Sequence, residues 1–98
     1  MLEKDIEKYL REQVKKMGGI AYKFVSPATR GVPDRLVVFY KNVYFVEVKR
    51  EGGIVSKLQE QKQNELRALG QKVYVVWNKT DVDAFLELVK EDLNDQHR

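Results

Sequence analysis

Two short stretches hold the residue types that could do chemistry: Gly31-Val32-Pro33-Asp34 and Val46-Glu47-Val48-Lys49. Twelve residues separate Asp34 from Glu47, and Lys49 follows two places later. Two carboxylates brought side by side can hold a hard divalent cation such as magnesium through oxygen. A cation held that way polarises a phosphoryl oxygen and lowers the pKa of bound water. A neighbouring ammonium can orient that water or offset developing negative charge. Taken separately, each piece has an ordinary explanation. Glu-x-Lys on a strand commonly makes a solvated face with an incidental ion pair, and Asp after Pro is common in turns.

What matters is whether the chain brings the three charges together. Leu36 to Tyr40 and Val43 to Val46 are apolar runs separated by Lys41-Asn42, the pattern of a tight β-hairpin. With those two residues as the loop, Tyr40 pairs with Val43, Leu36 stands opposite Glu47, and Asp34 opposite Lys49. Side chains alternate faces along a strand, so Asp34, Leu36, Glu47 and Lys49 share one face. A slip of one residue would scatter them.

The remaining elements must position that ribbon. Residues 2–17 form an amphipathic helix with Leu2, Ile6, Leu10, Val14 and Met17 on one side, stopped by Gly18-Gly19. Glu3 falls inside its apolar arc and Glu7 at the rim. Glu7 either reaches the end of the sheet or is a solvated flank paired with Arg11. Residues 20–25 are a first strand, 26–31 a polar loop, and about 35–40 and 43–49 the hairpin. Arg50-Glu51-Gly52-Gly53 is a flexible loop. Ser56 starts a second helix with Gln59 completing a capping box, and the helix ends near Leu69 and Gly70. Leu58, Leu66 and Leu69 form its buried stripe, and Gln59 looks either to its cap or to the sheet. Residues 72–77 are apolar enough for an interior, parallel strand. Thr80 caps a last helix with Val82, Phe85, Leu86, Val89 and Leu93 inward, and residues 94–98 fray. The order αβββαβα describes an α/β sandwich on a mixed sheet, in a single domain spanning 1–98.

Composition narrows the partners. Net charge is +3, and the chain has no cysteine and no apolar run long enough for a membrane span or a signal peptide. These features exclude disulfides and thiolate metal sites and lead us to expect a cytoplasmic protein. The lone His97 lies in a polar tail and offers no zinc site. Arg30, Arg35, Lys41, Lys49, Arg50 and Lys57 gather around the carboxylates, as a site that must admit phosphate would require.

Pro33-Asp34 followed by Glu47-Val48-Lys49 resembles the PD-(D/E)XK nuclease signature. Further pieces are similar to the stand-alone, virus-type VRR-NUC domains of that superfamily: Ile6 to Leu10, Gly18-Gly19, Tyr22 to Pro27, Arg30 to Arg35, Ser56 to Gln59 and Leu66 to Gly70. This resemblance implies that Glu7, Asp34, Glu47 and the backbone carbonyl of Val48 are metal ligands. It further implies that Lys49 is the catalytic lysine and that Gln59 faces the active site. Mg2+ or Mn2+ would be the cofactor, and Ser26, Arg30, Arg35, Arg50 and Lys57 the DNA-binding set. The implied activity is cleavage of branched DNA, as in Holliday-junction resolvases, by a homodimer inside the host cell if the source is viral. A flap, nicking or restriction-type nuclease, a non-catalytic DNA-binding module and a plain interaction domain are the alternatives.

Overall fold

A computed structural model describes residues 1–96, so His97 and Arg98 lie outside it. The elements are α1 (Glu3–Lys16), β1 (Ile20–Lys23), β2 (Arg35–Phe39), β3 (Asn42–Val48), α2 (Lys57–Ala68), β4 (Lys72–Val76) and α3 (Lys79–Gln96). This is the expected αβββαβα order. The sheet runs β1-β2-β3-β4, with β1, β2 and β3 antiparallel in turn and β4 parallel to β3.

One face of the sheet carries the core. Val37 and Phe39 of β2, Tyr44, Val46 and Val48 of β3, and Val76 of β4 pack on Ile6, Leu10 and Val14 of α1 and on Val82, Phe85, Leu86 and Val89 of α3. The alternation predicted for the hairpin is thus present, with one side buried by two helices. The Tyr44 hydroxyl, deep in that core, donates to Asp92 on α3 at 2.8 Å, and Lys72 reaches the same carboxylate at 2.7 Å. Against the cost of desolvation, these two bonds hold the Asp92 carboxyl below its usual range, and α3 is fixed to the sheet there.

The hairpin turn falls one residue earlier than predicted. Tyr40 and Lys41 form it, Lys41 taking φ 61°, and Asn42 pairs with Phe39 as the first residue of β3. Arg35 is therefore opposite Val46 and Leu36 opposite Phe45, a register two residues away from the expected one. An even slip leaves every side chain on its predicted face. It changes only who stands opposite whom, and one further step along this register puts Asp34 across from Glu47.

Helix boundaries also shift. The first helix is closed as expected, with Gly18 at φ 85° and the Gly19 amide bonded to the Val14 carbonyl. The Ser56–Gln59 capping box is present. The last helix is capped by Asn78, not Thr80: the Asn78 side chain accepts from the Asp81 amide at 2.8 Å, and Asp81 accepts from the Trp77 amide at 2.9 Å. It continues through Gln96, so 94–96 are helical and not frayed. The stripe assigned to α2 is not buried. Leu69 is 75% exposed and Leu58 40%, while the inward residue is Gln63. This helix packs chiefly on β4, outside the main core, so Leu58 and Leu69 stay largely open, Leu66 is half-buried, and Leu58 meets the loop at Gly31.

Among the described residues, no helix is long and apolar enough to cross a membrane.

Candidate active site

The carboxylates meet where the β2–β3 ladder ends. The Phe24 amide donates to the Asp34 carbonyl at 2.8 Å, which extends the β1–β2 pairing past its last regular partner and fixes the Asp34 backbone. The Asp34 carboxylate then accepts the Val48 amide at 3.2 Å. Where β2 runs out, its side chain satisfies a donor on β3 that a continued strand would have taken. Pro33, fully buried, sets the approach.

Glu47 is the unusual residue. Only 4% of it is exposed, and its Oε1 has no hydrogen-bond partner among the described residues. Burial, with the charge of Asp34 added to it, pushes the carboxyl pKa up to about 8, and the Lys49 ammonium pulls only partly the other way. Burial likewise raises Asp34, partly offset by its bond from the Val48 amide. A buried carboxylate oxygen without a partner is expensive. Strand β3 nevertheless holds it there because Val46 and Val48 on either side are locked in the core on the opposite face.

Helix α1 brings further carboxylates from the other side of the sheet end. Oxygens of Glu3, Glu7 and Asp34 all lie within 4.8 Å of one another. Glu7 was an expected member. Glu3 was not assigned a role, although its place in the apolar arc of the helix, one turn before Glu7, was a readable signal. The donors assembled here are all hard oxygens, the set that suits Mg2+ or Mn2+. Glu47 lies outside that trio, but its buried oxygen without a partner among the described residues, beside Asp34, is a hard donor of the same kind, so these residues fit the metal that the fold implies.

Other expected residues are distributed around this centre. Lys49 is half-buried, and its amide bonds the Val76 carbonyl at 2.9 Å, so it leaves β3 still tied to β4. Val48 touches the site through its amide. Gln59 turns its Oε1 back to the Ser56 amide at 3.0 Å, in its capping role. Arg30, Arg50 and Lys57 are exposed on the two loops and first helical turn that flank the carboxylates, and Ser26 is half-buried. Arg35 departs from its expected place. It is 6% exposed, on the core face under α1, with its guanidinium 3.4 Å from Glu7, and so lies away from any surface DNA could touch. Beside Asp34 in sequence it reads as part of a basic rim, but alternation turns it inward.

The loop before Asp34 is anchored on α2, and the glycine loop after Lys49 on the end of β4. Gly31, at φ 85°, presses on Leu58 of α2 so closely that a Cβ would stand 2.9 Å from the Leu58 carbonyl oxygen. Trp77, just beyond β4, donates its indole N–H to the Gly53 carbonyl at 3.2 Å and holds the glycine loop.

No family model matches the chain. A protein of Acyrthosiphon pisum secondary endosymbiont phage 1, named "Putative nuclease p44", is 46% identical over 88 residues, covering 89% of this chain and 94% of the relative. A solved VRR-NUC domain superimposes with a TM-score of 0.82 at 31% identity, covering 87% of this chain and 94% of that one.

Proposed function

Because the chain belongs to the VRR-NUC family of nuclease domains, we propose that it is a metal-dependent, structure-specific endonuclease that hydrolyses phosphodiesters in branched DNA, with the Holliday junction as its target and a homodimer as its working form. The observation that carries the metal-dependent reading is Glu47: a buried carboxylate with an unpartnered oxygen, beside Asp34, at the open end of a sheet.

Asp34, Glu47 and Glu7, with the Val48 carbonyl, would hold Mg2+ or Mn2+. When bound, that ion supplies Lewis-acid polarisation of a phosphoryl oxygen and a lowered pKa for water. Lys49 places its ammonium beside the reacting phosphate, where it donates to a non-bridging oxygen and offsets charge as the water oxygen adds to phosphorus. The bond to the leaving sugar oxygen breaks, and the proton lost by the water ends on that oxygen. No covalent enzyme intermediate is needed. Arg30, Arg50 and Lys57 neutralise flanking phosphates and counter the repulsion between DNA and the carboxylates.

Support for the dimer comes from the sheet face opposite the core. Ile20, Tyr22 and Val43 are 53%, 54% and 44% exposed there, beside half-buried Leu36, Val38 and Phe45, and α2 packs chiefly on the β4 side. A contiguous apolar surface next to an open edge strand is what a second copy would cover. A two-fold protein also matches a junction whose two cut strands are related by near two-fold symmetry.

Cleavage of end-labelled four-way junction, flap and linear duplex in Mg2+, Mn2+ or EDTA tests the substrate. Paired, symmetric nicks in the junction alone are expected. Cutting of the flap alone would keep the chemistry and replace the substrate, and binding without cutting in either metal would leave a DNA-binding module on a nuclease fold.

A further inference from the structure

A buried guanidinium is costly unless its donors are paired, and structural buried arginines usually satisfy most of them. Arg35 satisfies few. Its Nη2 lies 3.4 Å from Glu7 Oε2, and its Nε has no partner among the described residues. No packing need explains a cation here, since Val37 and Phe39 on the same face of β2 are apolar and buried.

Position supplies the explanation. Asp34 and Arg35 are adjacent, so alternation points the acid to one face of the sheet and the base to the other. Glu7, rising from α1, sits where the two faces meet: it touches Arg35 and shares a 4.8 Å cluster with Asp34 and Glu3. Three carboxylates that close repel one another. Glu7 is on the outermost turns of a helix, with a long side chain that water would readily accept. Something must hold it inward, and the only cation in contact with it among the described residues is Arg35.

We propose that Arg35 is a positioning residue for the metal site. Its buried guanidinium grips Glu7 from the core side and keeps that carboxylate within reach of Asp34. The orphaned Nε leaves a donor with which the present one-pronged contact can close to the two-pronged fork that arginine and carboxylate favour. The inference rests on the metal-site reading above, and its test separates the two.

The experiment measures Mn2+ affinity by the EPR signal of free Mn2+ for the wild type, Arg35→Met, Glu7→Gln and the double variant, with folding checked by circular dichroism. Partners that orient a metal ligand typically contribute about 10–100-fold to metal affinity. Arg35→Met should lose about that much when Glu7 is present and less than about twofold in the Glu7→Gln background, the signature of action through Glu7. Arg35→Lys, which keeps the charge but not the fork, should fall between and serves if the methionine variant does not fold. Equal losses with and without Glu7, or affinity unchanged or tightened in Arg35→Met or Arg35→Lys, would overturn the role of Arg35 while leaving the metal site standing. Absence of Mn2+ binding by the wild type would overturn both.

Discussion

Glu47 sets the behaviour of the site at the scale of single residues. An unfolded glutamate ionises near pH 4.5, whereas in the fold its carboxyl is held protonated until about pH 8. A raised pKa stabilises the fold while the proton is on, and that contribution disappears as pH climbs through this window. In chelator, the melting temperature of the wild type minus that of Glu47→Gln should therefore drop between pH 5 and pH 9, by at least about 5 °C for a domain this size. A difference that stays flat with pH would contradict the burial argument. The acid–base residues themselves were legible in the chain, because Asp34, Glu47 and Lys49 keep their common face under any even register shift. Arg35 was not, although the same alternation puts it on the face opposite Asp34: local sequence did not show that α1 would bury that face there. Gln59 was read both ways, and the structure gives it to its cap.

Elements then decide how firmly the residues are held. Gly31 is needed twice, for a positive φ that side chains resist and for contact with the Leu58 backbone. Gly31→Ala should cost about 1–3 kcal/mol of stability and displace the segment that ends in Asp34, so nuclease activity should fall further than the melting temperature alone accounts for. Denaturant unfolding and initial cleavage rates measured together check this. Ser56→Ala, which removes the cap of α2 on the exposed side, should cost about 1 kcal/mol and leave cleavage nearly unchanged if Gln59 serves mainly that cap. The helices, strands and their order followed from periodicity and glycine stops. The turn did not, because Asn42 was the better turn former by propensity, yet Lys41 took the positive φ. Nor did the exposure of α2, since an apolar stripe does not say how much of it neighbouring elements will cover.

At the scale of the whole molecule, two apolar faces have different fates. One is buried under α1 and α3, and the other is left partly open over β1, β2 and β3. If that open half-face joins two copies, replacing both Ile20 and Val43 with Lys should turn a dimer into a monomer in sedimentation velocity at micromolar concentration, with circular dichroism unchanged. A wild type that sediments as a monomer with and without junction DNA would contradict it. The proposed metal-dependent chemistry reduces to one claim, that Glu47 is kept buried for a metal and not for the fold. Its most direct test is the rate of phosphodiester cleavage by wild type and Glu47→Gln in Mg2+ and in EDTA, with melting temperatures measured on the same samples. Cleavage by the wild type in Mg2+ only is expected, with a loss on the order of a thousandfold in Glu47→Gln, although that variant melts no lower than the wild type at pH 8. Cleavage in EDTA, or a Glu47→Gln protein that cuts at the wild-type rate, would contradict it.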